Sequence, residues 1–232
     1  MPDTVILRFR AQGSRAIKEM NHNTIIVREG LPFIIPLGAF TIVLAFFGFK
    51  GLAFVFFIAT VFVTWFFRNP QRKTPDDTKA VISPADGEII KIEDILENDF
   101  LKAPTKKISI FMNVFNVHVN RIPYAGTIDS VNYNRGSFFS ANLDKASLLN
   151  ERNSVLIHTE DGKEILTVQV AGLIARRIEC WVKEGMHVLK GERFGLIRFG
   201  SRLEVFLPSD SIISVKVGDK VRAGETQIGW LR

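Results

Sequence analysis

A serine, a histidine and a carboxylate stand in settings that would let them act on a peptide bond. Ser201 follows Gly200 within Leu196-Ile197-Arg198-Phe199-Gly200-Ser201-Arg202-Leu203-Glu204-Val205. Gly-Ser pairs usually make turns, but β-branched and apolar residues flank this one on both sides, as in a strand. Glycine leaves its carbonyl open to close approach, and a serine hydroxyl becomes nucleophilic only beside a base. Among the histidines, His22 precedes a long apolar segment, His158 lies in a strand-like run and His187 in a repeated turn. His118 lies between Val117 and Val119, in Phe115-Asn116-Val117-His118-Val119-Asn120-Arg121-Ile122-Pro123. The carboxylate is Asp86, in Ser83-Pro84-Ala85-Asp86-Gly87-Glu88-Ile89. Together the three would support base-assisted attack of a hydroxyl on a neighbouring carbonyl. Taken singly they keep a structural reading open: a valine-flanked histidine can be a core side chain, and an Asp before Gly can bond its own backbone in a turn.

The elements around these residues read as β. Short strand-like runs, separated by turn residues, occur at 80–82, 88–92, 107–112, 126–133, 155–159, 164–170, 193–199, 202–207 and 212–216. Only 141–150 and 175–181 have a weak helical period. An internal repeat, VxxGxxVxxGE, runs from Val182 to Glu192 and again from Val215 to Glu225. Its glycines belong at tight turns between short strands. The pattern resembles the hammerhead turns of biotinyl- and lipoyl-carrier domains, which are flattened β-sandwiches, and Ser83–Gly87 resembles another edge of such a sandwich. No Lys occupies the modified carrier position, so a carrier function is not supported.

The chain of 232 residues is 47% hydrophobic, and the excess is local. From residue 31 to 67 the only charge is Lys50. That stretch is too long for one span and divides at Gly48-Phe49-Lys50-Gly51, predicting a helical hairpin or two shallow helices in one leaflet. It starts too late and runs too long for a cleaved signal peptide. Basic residues lie on both sides: Arg8, Arg10, Arg15, Lys18 and Arg28 before, and Arg68, Arg72, Lys73 and Lys79 after. The positive-inside rule puts both flanks in the cytoplasm, and the net charge of +6 suits an anionic lipid surface. Nothing resembles a nucleic-acid-binding motif. Cys180, the single cysteine, makes no internal disulfide, and no metal-ligand cluster appears. The expected organisation is a basic segment 1–30, a membrane-anchoring hairpin 31–67 and a β-rich catalytic domain 68–232, joined through a polar, proline-bearing connector at 68–77.

The three chemical segments, in this order, resemble those of the phosphatidylserine decarboxylases, which carry an SPxDG segment, a histidine segment ending in proline and a Gly-Ser cleavage site. The likeness runs from about residue 69 to 232, and the apolar anchor resembles that of the short bacterial and archaeal form. The resemblance implies a mostly β proenzyme with a flattened sandwich, or barrel-sandwich hybrid, and an N-terminal helical anchor. It implies that Asp86 orients or polarises His118, and that His118 acts as general base. Ser201 attacks the carbonyl of Gly200 in an N-to-O acyl shift. β-Elimination and loss of ammonia then turn Ser201 into a covalent pyruvoyl cofactor. The chain would separate into large (1–200) and small (201–232) fragments that remain a heterodimer. The substrate would be phosphatidylserine in the membrane, held through a Schiff base between its amine and the pyruvoyl ketone. The products would be phosphatidylethanolamine and carbon dioxide, and the location the cytoplasmic face of the inner membrane. No metal and no nucleic acid are implied.

Two positions depart from the family pattern. Many members read Leu-Gly-Ser-Thr where this chain has Phe199-Gly200-Ser201-Arg202, and many long-form members carry HxxHMP where this chain has His118 and then Arg121-Ile122-Pro123. A protonating role attached to the second histidine does not transfer to Arg121, which leaves His118 or water for that step. The competing readings are a membrane-anchored adaptor with hammerhead turns, a serine hydrolase using the same three residues, and a pyruvoyl decarboxylase of another amino acid. The adaptor lacks a coiled-coil heptad, the hydrolase lacks a GxSxG elbow, and the anchor weighs against a soluble substrate.

Overall fold

The computed structural model describes residues 24–136, 150–172, 177–198 and 200–232. Contacts divide the chain at Gln71/Arg72, inside the expected connector. The N-terminal unit holds two apolar helices, α1 (Leu31–Phe46) and α2 (Lys50–Phe66). Gly48, at φ +81°, makes the tight reversal between them. The helices pack through Phe40 and Phe56, whose rings meet edge-to-face at 4.8 Å. Thr41, Thr60 and Thr64 return their hydroxyls to carbonyls four residues back, so no polar group is left open to an apolar surround. Ile42, Phe46, Phe47 and Phe54 are exposed along this hairpin. Arg28–Phe46 is long and apolar enough to cross a membrane, while Lys50–Phe66 is shorter.

The second unit is mostly β. Its strands are β1 (Ala80–Ile82), β2 (Gly87–Glu97), β3 (Ala103–Met112), β4 (Val119–Arg121), β5 (Gly126–Asn134), β6 (Arg152–His158) and β7 (Glu164–Ala171). They continue with β8 (Ile178–Cys180), β9 (His187–Val188), β10 (Arg193–Ile197), β11 (Ser201–Pro208), β12 (Ile212–Ile213), β13 (Lys220–Val221) and β14 (Gln227–Trp230). One curled eight-stranded sheet runs β13-β2-β3-β11-β7-β6-β5-β9, with two three-stranded sheets, β1-β14-β12 and β4-β10-β8, beside it. Ile89, Ile110, Ile157, Phe194, Leu203 and Val205 belong to the main core cluster. The mostly β fold expected from the sequence is therefore the fold observed. The helical expectation at 175–181 is corrected: Ile178–Cys180 is a strand, because pairing with β10 outweighs its weak local preference. The expectation at 141–149 lies outside the described residues.

The VxxGxxVxxGE repeat has a structural meaning. All four of its glycines, Gly185, Gly191, Gly218 and Gly224, have φ between +79° and +93°. Gly185 N–H donates to Ile128 O and Gly191 N–H to Ile122 O, while Gly218 N–H donates to Ile89 O and Gly224 N–H to Ser83 O. The acceptors expose a second repeat: Ser83-Pro84-Ala85-Asp86-Gly87-Glu88-Ile89 is matched by Ile122-Pro123-Tyr124-Ala125-Gly126-Thr127-Ile128. The two segments clasp one another, with Ile82 N–H on Pro123 O and Arg121 N–H on Pro84 O. Gly87 and Gly126 are equivalent too, since a Cβ on either would lie within 2.4 Å of a carbonyl oxygen, of Phe111 or His158. The second unit is thus built on an internal repeat, each copy pairing a proline-glycine turn with its own hammerhead.

Candidate active site

Ser201 is the first residue of β11, paired with Met112 on β3 and Ala171 on β7. It is fully buried, and its Oγ donates to the Met112 thioether at 3.4 Å. A thioether is a weak acceptor, so the hydroxyl is held without being deactivated. Gly200 lies just before the strand at φ +73°, a conformation that glycine adopts freely.

His118 is also fully buried and sits immediately before β4. Its carbonyl accepts Ile197 N–H, which ties it to the end of β10. Its Nδ1 lies 3.1 Å from Asn116 O, and its Nε2 receives Gly200 N–H at 3.3 Å. A carbonyl can only accept, so Nδ1 carries the proton and Nε2 accepts from the Gly200 N–H, on the amide that precedes the Gly200–Ser201 bond. The structure therefore brings His118 and the Gly-Ser step together.

Asp86 faces a different set of groups. Its Oδ2 pairs with Arg72 Nη2 at 2.8 Å and its Oδ1 accepts Ala223 N–H at 2.8 Å. Arg72 also holds Glu225 at 3.0 Å. Arg121 lies in the same cluster and donates Nη1 to Gly191 O at 2.8 Å. Burial lowers the pKa of Arg121 to about 10; Arg193 and Arg72 push the same way, while Asp86 and Glu225 oppose. It stays charged at neutral pH, so it is a cationic strut rather than an acid. Asp86 does not bond its own turn; it ties that turn to the 215–225 hammerhead of the same half and to Arg72.

The departure after the serine is also absorbed. Arg202 is buried, with Nε 3.1 Å from Glu204, and Glu204 also takes Lys107 at 3.0 Å. An open cleft of about 380 Å³ includes Asp86, Asn113, Asn116, Lys220 and Arg222 in its lining. Arg72, Met112, Asn116 and Asn120 were passed over in the sequence. They act through backbone or long-range contacts that no local motif announces. No cluster of His, Cys, Asp and Glu able to hold a metal occurs among the described residues.

The phosphatidylserine decarboxylase family profile matches residues 59–229. The chain belongs to the phosphatidylserine decarboxylase family. It is 56% identical over 211 residues to the phosphatidylserine decarboxylase proenzyme of Syntrophus aciditrophicus, covering 90% of this chain and 99% of that one. It is 52% identical over 206 residues to the proenzyme of the same name from Desulfotalea psychrophila, covering 89% and 96%. Against that of Geotalea uraniireducens it is 48% identical over 211 residues, covering 91% and 99%. The family assignment thus spans Asp86, His118, Gly200 and Ser201 together with the second apolar helix from residue 59 onward.

Proposed function

We propose that this chain is a proenzyme that cuts itself between Gly200 and Ser201, and that it then converts phosphatidylserine to phosphatidylethanolamine and carbon dioxide. The observation that supports this reading most strongly is the 3.3 Å hydrogen bond between Gly200 N–H and His118 Nε2. It brings the ring nitrogen to the amide next to the Gly200–Ser201 bond, with the tautomer set by Asn116 O at 3.1 Å. Once Nε2 gives up the Gly200 N–H, it takes the Oγ proton as Oγ attacks the Gly200 carbonyl carbon, and it passes that proton to the Ser201 nitrogen, which leaves as the amine and gives an ester. Removal of the Ser201 Cα proton then forms a Cα–Cβ double bond and breaks Cβ–Oγ. Gly200 departs as a carboxylate, and water displaces ammonia from residue 201.

The surroundings suit the pyruvoyl group that results. Residue 201 is fully buried, so water has poor access to the ester and elimination competes well with hydrolysis. When formed, the group supplies an electron sink for decarboxylation at the α-carbon of an amino acid. His118 moves the proton at Nε2, and Asn116 O holds the tautomer by accepting from Nδ1. Asp86 serves as a positioning residue: with Arg72 it holds the small fragment's 222–225 turn against the segment that carries His118. The large and small fragments remain one heterodimer.

The exposed apolar side chains of α1 and α2 suit membrane insertion, and the basic flanks favour the cytoplasmic face. Intact-mass analysis tests the core of the proposal. Two chains are expected, with the small one starting at residue 201 and carrying a ketone in place of its amine. A single full-length mass in folded wild-type protein refutes it. Ser201→Ala should give one uncut chain without decarboxylase activity on phosphatidylserine vesicles.

A further inference from the structure

A line of buried amides ends beside Ser201. Asn153 Nδ2 donates to Gln169 Oε1 at 3.0 Å, and Gln169 Nε2 donates to Asn120 Oδ1 at 2.9 Å. Asn120 Nδ2 then donates to Met112 Sδ at 3.7 Å, the same sulfur that takes Ser201 Oγ at 3.4 Å. Asn120, Gln169 and Asn153 are all at most 1% exposed. Every donor in the line points toward Ser201, so each bond polarises the next. The fold makes room for it: a Cβ on Gly195 would come within 2.8 Å of Gln169 Nε2.

The terminus of this line is unusual. A buried amide N–H normally finds an oxygen acceptor, whereas this one rests on a thioether, the weakest acceptor in the side-chain inventory. Asn120 cannot turn its amide over without setting its NH2 against that of Gln169. A fixed, polarised donor is therefore held beside the reactive serine.

We infer that Asn120 is a further catalytic residue of self-cleavage, donating its Nδ2–H to Ser201 Oγ when that oxygen leaves. In the elimination step the Cβ–Oγ bond breaks, the electron pair passes to Oγ, and Oγ becomes part of the Gly200 carboxylate. Negative charge thus develops on the atom that shares the sulfur with Asn120. In the resting chain Oγ and Asn120 Nδ2 both donate to the sulfur, so a bond between them forms only once Oγ has lost its proton and gains charge. That is the requirement for a group that accelerates a step. This inference rests on the self-cleavage proposed above.

The test uses full-length protein purified uncut after rapid expression and followed by intact mass, with and without hydroxylamine. Hydroxylamine attacks the ester carbonyl, leaving Gly200 as a hydroxamate and Ser201 with a free amine. Asn120→Leu should slow cleavage by about 10²-fold, the usual effect of removing one such donor. The ester should accumulate, so that hydroxylamine yields a Ser-initiated small fragment. Asn120→Asp keeps the shape and donates only when protonated, so its cleavage rate relative to wild type should rise toward low pH and fall at high pH. If wild-type protein does not cut at residue 201, the proposed function fails. If it cuts and Asn120→Leu matches its rate, or is slow without a hydroxylamine-sensitive ester, the role given to Asn120 is overturned. Should Asn120→Leu fail to fold, Asn120→Asp decides: a rate relative to wild type that is flat with pH overturns the inference.

Discussion

Replacing Arg72 with methionine would leave two carboxylates facing each other across the junction of the future fragments. In the native chain Arg72 sits 2.8 Å from Asp86 and 3.0 Å from Glu225, with side-chain exposures of 10%, 11% and 31% for Arg72, Asp86 and Glu225. Removing one partner of a buried pair costs about 3–5 kcal/mol, because the other charge is stranded. Two features pull the figure to the low end. Glu225 is partly solvated, and Arg121 stays close enough to feel both carboxylates. We expect a loss of about 3 kcal/mol, or roughly 6–12 °C in Tm for a domain of this size. The measurement belongs in a Ser201→Ala background, where the chain is continuous and unfolding does not depend on concentration. Adding Asp86→Asn to Arg72→Met should recover part of the loss, since the stranded charge goes while Ala223 N–H keeps an acceptor at that side chain. A loss under about 1 kcal/mol for Arg72→Met, or two losses that simply add, would refute the clamp.

Other expectations follow from single contacts. His118→Gln keeps a side chain able to reach the Gly200 amide but has no base; cleavage should stop in an intact-mass time course while Tm changes little. Gly200→Ala meets no atom within 4 Å but places a Cβ at φ +73°, so it should cost about 1–2 kcal/mol of backbone strain and slow cleavage without blocking it. Gly195→Ala should slow cleavage more than its melting shift accounts for, by pushing Gln169 off Asn120. Burial raises the Cys180 pKa. The folded state therefore keeps the proton that the unfolded chain gives up, and the stability due to this group falls as pH climbs past the ordinary thiol value. Alkylation at pH 8.5 should be at least about tenfold slower in folded protein than in urea, and equal rates would refute the burial of this thiol.

How much of this was legible depended on whether a contact leaves a local mark. The glycines of the 182–192 and 215–225 repeat did, because a positive φ selects glycine whatever the surroundings. The matching repeat at 83–89 and 122–128 did not stand out, since it shares only a proline, a glycine and an isoleucine. Its equivalence rests on which backbone groups those residues receive. Ser201 and His118 were readable from residue type and order. The partner at His118 Nδ1 was not, because Asn116 offers its backbone carbonyl and any residue there would supply one. Asn120 and Gln169 look like ordinary polar residues within strands. They are separated by 49 positions and joined only when β4 and β7 come together behind β10. Residues 178–180 read as weakly helical because their strand character comes from β10 rather than from themselves.

The internal repeat and the cut have a common logic. Each half supplies the same parts: a proline-glycine turn, a short strand and a hammerhead that returns two amides to it. Chemistry enters where the halves differ. Asp86 has Ala125 as its counterpart, and only the Asp86 half carries the Arg72 and Glu225 contacts. That half also contributes its hammerhead, 215–225, from the future small fragment, whereas its turn at 83–89 belongs to the large one. After the proposed cleavage the 201–232 fragment would be bound twice. Strand β11 remains laddered between β3 and β7, and the 222–225 turn remains on Asp86, Arg72 and Ser83. The proposed scissile bond lies at the very start of β11, so the pairing of residues 202–208 does not depend on it. A chain arranged in this way can lose its covalent link at residue 200 and still hold residue 201 in the same buried place, which is what a cofactor made from the chain itself requires.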